Sequence, residues 1–197
     1  MASLFGLRDL TIGQLSTEVN LSKSGLYAHF DSKEQLQVEV LQKTASIFLE
    51  YVVQPALRQP RGLPRLVGLF EGWLNWSNQG VLPGGCVFVA ATSEWDDRDG
   101  RVRDALVTIQ KGWLAVIARA VELSKEQGHL RPDLDAEQVA FDVHGIMLSF
   151  HHQSRLLRED DARARAEESF ASLLNRSQLV SESLRYQELL RNMRFTP

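Results

Sequence analysis

The stretch from Thr11 to Lys33 leaves this chain little freedom in how its fold begins. Thr11 is placed to cap a helix, with Gln14 three residues on to close a capping box. Ile12, Leu15 and Val19 follow at helical spacing and give that helix one apolar face. Asn20 and Leu21 supply a turn. Ser22 caps a second helix that runs to about His29, with Leu26 and Phe30 as its inward face. Ser32 caps a third helix, with Gln35 at the box position. Helix, short turn, helix is the geometry that sets a recognition helix into a DNA major groove.

The second of these helices has an unusual composition. Lys23, Ser24, Gly25, Tyr27 and His29 crowd into one short element. A glycine in its second turn costs about 1 kcal/mol against alanine, a poor choice for a helix that only fills space. A helix pressed against a phosphate backbone can instead use the missing side chain for close approach. Lysine, serine, tyrosine and histidine all suit phosphate or base-edge contacts. Lys33 lies at the next helix start, where free backbone amides favour an anion.

At these residues the chain resembles the tetracycline-repressor (TetR) family of bacterial regulators. The matching pattern stands here as Thr11-Ile12, Leu15, Leu21 to Phe30, Ser32-Lys33-Glu34 and Leu36. The resemblance implies an all-α protein. It has an N-terminal helix-turn-helix DNA-binding domain (1–50) and a C-terminal helical ligand-binding and dimerisation domain (51–197). It also implies a double-stranded DNA operator as partner and a repressor's role. It places Thr11, Ser24, Gly25, Tyr27, His29 and Lys33 at or near DNA-contacting positions, and Lys23 joins them as the basic residue opening the same helix. One departure stands out. Family members carry a full helix ahead of this segment, whereas Met1 to Gly6 matches only the end of such a helix. The expectation is therefore a truncated first helix, and the rival reading is a small-molecule-binding helical dimer that has lost DNA binding.

Charge is consistent with a weakened DNA-binding surface. Residues 1–50 hold four basic residues (Arg8, Lys23, Lys33, Lys43) against six acidic ones, a balance of −2, where DNA-binding domains present a basic face. The whole chain of 197 residues carries −3, so bulk attraction to nucleic acid or membrane is not expected. Cys86 is the only cysteine, which excludes an intrachain disulfide and suits a reducing cytoplasm. No apolar run reaches the length of a membrane span.

Beyond Lys33 the helical period persists. Leu36, Val40, Leu41, Ile47, Phe48, Tyr51 and Val52 mark one long amphipathic helix ending near Pro55. Pro60, Gly62 and Pro64 make a loop, and Leu66 to Trp76 an apolar helix that ends near Gly80. Pro83-Gly84-Gly85 breaks the chain before a short apolar segment from Cys86 to Trp95. Val87-Phe88-Val89 is its one strand-like run, and no sheet is expected. Val102 to Ala120 gives a long striped helix, with Gly128 as its stop. Asp135 and Gln138 start the next, with Val139, Val143, Ile146, Met147 and Phe150 facing inward. A last helix runs from about Ala162 to Leu174. By the resemblance, helices at about 136–157 and 162–176 pair across a two-fold axis. The tail from Gln178 to Pro197 fits no element.

Four tryptophans, Trp73, Trp76, Trp95 and Trp113, fall on separate helices. With Phe70, Cys86, Phe88, His144 and Met147 they form a candidate site for a small apolar or aromatic effector. The competing reading is an ordinary aromatic core. His144 and His151 are two turns apart, about 10 Å along the axis, too far to share one zinc. Neither a metal nor a cofactor is expected. The acidic run Glu94, Asp96, Asp97, Asp99 lacks the spacing of a calcium loop and reads as a solvated helix end. No nucleophile elbow, phosphate loop or dinucleotide fingerprint is present, so nothing in the sequence points to an enzyme.

Overall fold

The computed structural model describes residues 1–78 and 82–178. The described residues are helical, with no strand. In order they form α1 (Ala2–Phe5), α2 (Ile12–Glu18), α3 (Lys23–Tyr27), α4 (Lys33–Phe48), a π turn (Leu49–Val53), α5 (Gln54–Arg58), α6 (Leu63–Asn78), α7 (Val87–Trp95), α8 (Arg101–Glu126), α9 (Ala136–His151), a second π turn (His152–Leu157) and α10 (Ala162–Ser177). None of these helices is long and apolar enough to cross a membrane. The helix end expected near Gly80 and the tail past Gln178 lie outside the described residues.

The chain divides into two compact units. One comprises Met1–Tyr51 and Asn75–Gly112, the other Val52–Leu74 and Trp113–Pro197. In the first unit, Leu7, Leu10, Ile12, Leu26, Leu36, Leu41 and Phe48 are buried together with Trp76, Val87, Phe88, Ala91 and Trp95. The strand-like run is helical: Val87, Phe88, Ala91 and Trp95 are the buried positions of α7, at helical spacing. In the second unit the core is Val52, Leu66, Phe70, Trp73, Ile117, Val121, Val143, Met147, Phe150, Phe170 and Leu174.

Two expectations are corrected here. The long helix does not end near Pro55. The π turn Leu49–Val53 intervenes, and α5 continues through Pro55 to Arg58. A proline inside a regular helix loses a hydrogen bond and crowds the carbonyl four residues back. A wider π turn just ahead of it relieves both. At the π turn Tyr51 is outward, 54% exposed, and Val53 is buried; ahead of it in α4, Gln37 and Thr44 are buried as well. Val19, expected inward on α2, is 45% exposed, and Ser16 is buried in that helix instead.

Helix ends follow the reading of the sequence more closely. α8 stops at Gly128, whose φ is 71°, and the His129 amide reaches back to the Ser124 carbonyl at 2.9 Å. The His129 side chain then accepts a hydrogen bond at Nδ1 from the Leu63 amide, 3.1 Å, and so caps α6.

Candidate nucleic-acid interface and effector site

The helix-turn-helix begins with a closed capping box. The Gln14 amide donates to Thr11 Oγ1 at 3.2 Å, and the Thr11 amide donates to Gln14 Oε1 at 3.0 Å. Asn20 takes φ 57°, the left-handed conformation that asparagine tolerates best after glycine. The Leu21 amide then reaches the Ser16 carbonyl at 3.1 Å, which closes α2. Ser22 caps α3 by accepting from the Gly25 amide at 3.0 Å, and Ser32 caps α4 by accepting from the Gln35 amide at 3.1 Å. The second box is not closed, because the Gln35 side chain turns to Glu39 at 3.0 Å. Asp135 likewise caps α9 alone, while Gln138 turns to Asp142.

This capping orients α3. Leu26 faces the core at 4% exposure and Phe30 is half-buried, whereas Ser24, Gly25, His29 and Lys33 lie on the open surface. Thr11 is half-buried at the start of α2. The backbone of Lys23 and Tyr27 lies in α3, but their side chains are outside the described residues. Gly25 has a local role as well. A Cβ there would sit 3.1 Å from Ser22 Oγ, the atom that caps the helix.

Sequence reading missed how the segment ahead of α2 is held. Glu94 of α7 accepts hydrogen bonds from the amides of Leu7 (3.1 Å) and Arg8 (2.9 Å). From the other side, Gln37 Nε2 of α4 donates to the Leu7 carbonyl at 2.9 Å. Leu7 itself is 1% exposed. Gly6 has φ 86°, and a Cβ there would overlap the Glu94 carboxylate. Glu94 is therefore not a solvated helix-end charge, although Asp96, Asp97 and Asp99 are exposed as expected. A glutamine on an apolar stripe was the one sequence signal for this clamp, and Glu94 gave none.

The candidate effector residues fall in both units. In the first, Phe48 packs edge-on against Trp76 (5.3 Å between ring centres) and Phe88 (6.1 Å). Cys86 and Trp95 are buried in the same unit. Burial pushes the Cys86 thiol up, against the opposing pull of the Val89 amide, the Trp76 indole and the Phe88 amide. In the second unit, Phe70 stacks on Phe170 at 4.0 Å, and Trp73 packs against Phe150 and His151, both at 6.4 Å. Trp113 and Met147 are buried and His144 is half-buried. Burial lowers the pKa of both His144 and His151, and Arg155 and His152 push His151 the same way. His151 Nε2 is buried with no hydrogen-bond partner among the described residues.

Along α9 and α10 the second unit leaves an open groove of about 1120 Å³. Small residues such as Gly145, Ser149, Ala166 and Ser169 line it together with the charged Asp142, Asp161, Arg165, Glu168 and Arg176. Phe141, 71% exposed, stands at its edge, and Leu148 one heptad on is 38% exposed.

Residues 1–40 of the chain match the family model "Bacterial regulatory proteins, tetR family". Residues 62–170, more than half of the chain, match "Tetracyclin repressor-like, C-terminal domain". No curated protein matches it. Among solved structures it is similar to a TetR-family transcriptional regulator from Cytophaga hutchinsonii, with 17% identity and a TM-score of 0.78 over 90% of this chain and 89% of that one. A TetR transcriptional regulator from Chloroflexus aurantiacus gives 21% identity and 0.73 over 88% and 86%. AibR in complex with isovaleryl coenzyme A and operator DNA gives 19% identity and 0.64 over 87% and 89%. At these identities the structural likeness is one of fold.

Proposed function

This chain belongs to the tetracycline-repressor family of bacterial transcriptional regulators, and on that footing we propose that it is a ligand-responsive repressor acting as a homodimer. The observation that carries the reading is the capped α2–turn–α3 unit, which keeps Leu26 inside and leaves Ser24, Gly25, His29 and Lys33 on the surface. In this proposal residues 1–50 recognise DNA and 51–197 bind ligand and dimerise. Tyr27, His29 and Lys33 serve mainly the phosphates, Ser24 and Gly25 allow close approach at the groove, and Thr11 and Lys23 belong to the same DNA-binding set.

The effector we propose is small and apolar or aromatic, as ligand sites in apolar surroundings require. Phe70, Trp73, Trp76, Cys86, Phe88, Trp95, Trp113, His144 and Met147 are its candidate contacts. Dimerisation would use about 136–157 and 162–176, where the open groove and exposed Phe141 offer a self-complementary surface. The ligand acts by population shift, favouring dimers whose two α3 helices no longer fit successive major-groove faces. AibR, similar in fold, was solved with operator DNA and a small-molecule ligand, isovaleryl coenzyme A. The setting we propose is the cytoplasm.

The test is a salt-titrated binding assay on a duplex selected from random sequence. Lys33→Ala should weaken binding to all sequences alike and flatten the salt dependence by about one unit of slope. A chain that selects no duplex, or an unchanged slope in the variant, would remove the DNA assignment.

A further inference from the structure

The second unit carries a groove that neither the recognition helices nor the aromatic residues account for. It measures about 270 Å³ and is open on one side. Leu57 of α5, Leu69 of α6, and Val116 and Leu123 of α8 give it apolar walls, and Arg65 and Arg119 complete its lining. Leu57 is 47% exposed here, an apolar side chain left partly in water on the groove wall.

The two arginines are not equivalent. Arg119 donates to Glu126 at 3.0 Å, and Arg61 shares the same carboxylate at 3.6 Å. Glu122, beside them on α8, is taken by Lys125 at 3.0 Å. Arg65 has no acidic partner among the described residues. Its Nε donates to the Gln59 carbonyl at 3.0 Å, which tethers the guanidinium. The two terminal amino groups of that fork have no protein acceptor among the described residues. Of the two arginines that line the groove, Arg119 is thus paired with a carboxylate and Arg65 is not.

A planar fork with its inner nitrogen tethered is suited to a carboxylate taken in two parallel hydrogen bonds. Apolar walls beside it reward an alkyl or aryl body, at about fourfold in affinity for each methylene removed from water. We propose that this groove binds an amphipathic monocarboxylate, its body against Leu57, Leu69, Val116 and Leu123 and its carboxylate on Arg65. The inference stands apart from the function proposed above, since a chain that failed to recognise DNA would still bind here.

Decanoate is the probe, titrated calorimetrically into the full chain, with decanol and decyltrimethylammonium as neutral and cationic counterparts. Decanoate should bind one per chain and more tightly than either counterpart, and hexanoate should bind more weakly than decanoate. Arg65→Gln should weaken decanoate by about tenfold or more, the loss expected of a charge-assisted pair, and leave decanol unchanged. Ala115→Trp, which places a large ring on the groove wall from an exposed position, should weaken both. Melting curves confirm that each variant is folded, and Arg65→Lys, which keeps the charge without the fork, should fall between parent and Arg65→Gln. No saturable decanoate binding, equal binding of decanol by the parent, or decanoate binding untouched by both Arg65→Gln and Ala115→Trp would overturn the proposal.

Discussion

Glu94 shows how much one carboxylate can do when it meets backbone rather than solvent. Its two hydrogen bonds satisfy the amides of Leu7 and Arg8, and Gln37 satisfies the Leu7 carbonyl opposite. Removing the acceptor leaves a buried amide unpaired, at roughly 1–3 kcal/mol. Glu94→Ala should therefore lower stability by about 1–2 kcal/mol on urea titration. It should also speed hydrogen exchange at Leu7 and Arg8 while α8 stays protected; unchanged exchange at those two amides would show the clamp to be idle. Gly6→Ala should do more, because φ 86° and the Glu94 carboxylate both exclude a side chain. Cys86 is the opposite case. Burial raises its pKa and leaves it only 2% exposed, so native protein should stay inert to a thiol reagent that labels the unfolded chain stoichiometrically. Rapid labelling without unfolding would contradict this. His144 and His151 titrate below their ordinary 6.5 in the folded chain. The unfolded chain then binds more protons below pH 6.5, so stability is full above that pH and declines as pH falls toward the folded values. Melting temperature should drop between pH 7 and pH 5, and His151→Gln should shrink the drop. A parent whose melting temperature is flat across that window would dismiss it.

At the scale of elements, what was legible in the sequence was local. Thr11 with Gln14, Ser22, Ser32, Asp135 and Gly128 each mark a helix end through bonds to residues only a few places away, and all five ends lie where those residues put them. Thr11→Ala should accordingly cost about 1 kcal/mol, read by denaturation, with α2 amides exchanging faster. A neutral substitution would mean the box contributes nothing to α2. The misses share a different cause. The π turn ahead of Pro55 shifts register mid-helix, and a pattern read at constant period cannot follow it, so Tyr51 was assigned inward and is exposed. Gln35 and Gln138 sit at box positions but bond forward to Glu39 and Asp142. Glu94, Gln37 and His129 act on backbone far away in sequence, and spacing carries no trace of such partners. The same holds for the effector residues. Their burial was legible from the apolar pattern, but whether an aromatic side chain lines a space or fills it depends on its neighbours in three dimensions.

For the molecule as a whole, the proposed pairing surface is the one along α9 and α10. Phe141 and Leu148 lie seven residues apart, with Gly145 between them on the same side of α9. A helix that exposes a phenylalanine beside a groove lined in part by glycine, serine and alanine offers a surface against which a second helix could lie. In the proposed two-fold pairing each protomer's Phe141 would lie against the other's groove. In that proposal DNA recognition depends on the pairing, because a dimeric helix-turn-helix reads two half-sites about 34–36 Å apart. Phe141→Glu would replace an apolar contact of the proposed interface with a charge. Light scattering at micromolar concentration should then report a monomer, with helical content unchanged. Affinity for a two-half-site duplex should fall by about a hundredfold or more, while affinity for an isolated half-site stays as it was. A parent already monomeric at that concentration would sink the proposal. So would a Phe141→Glu variant that remains a dimer and binds the full duplex undiminished, since either result would place the pairing surface elsewhere on the chain.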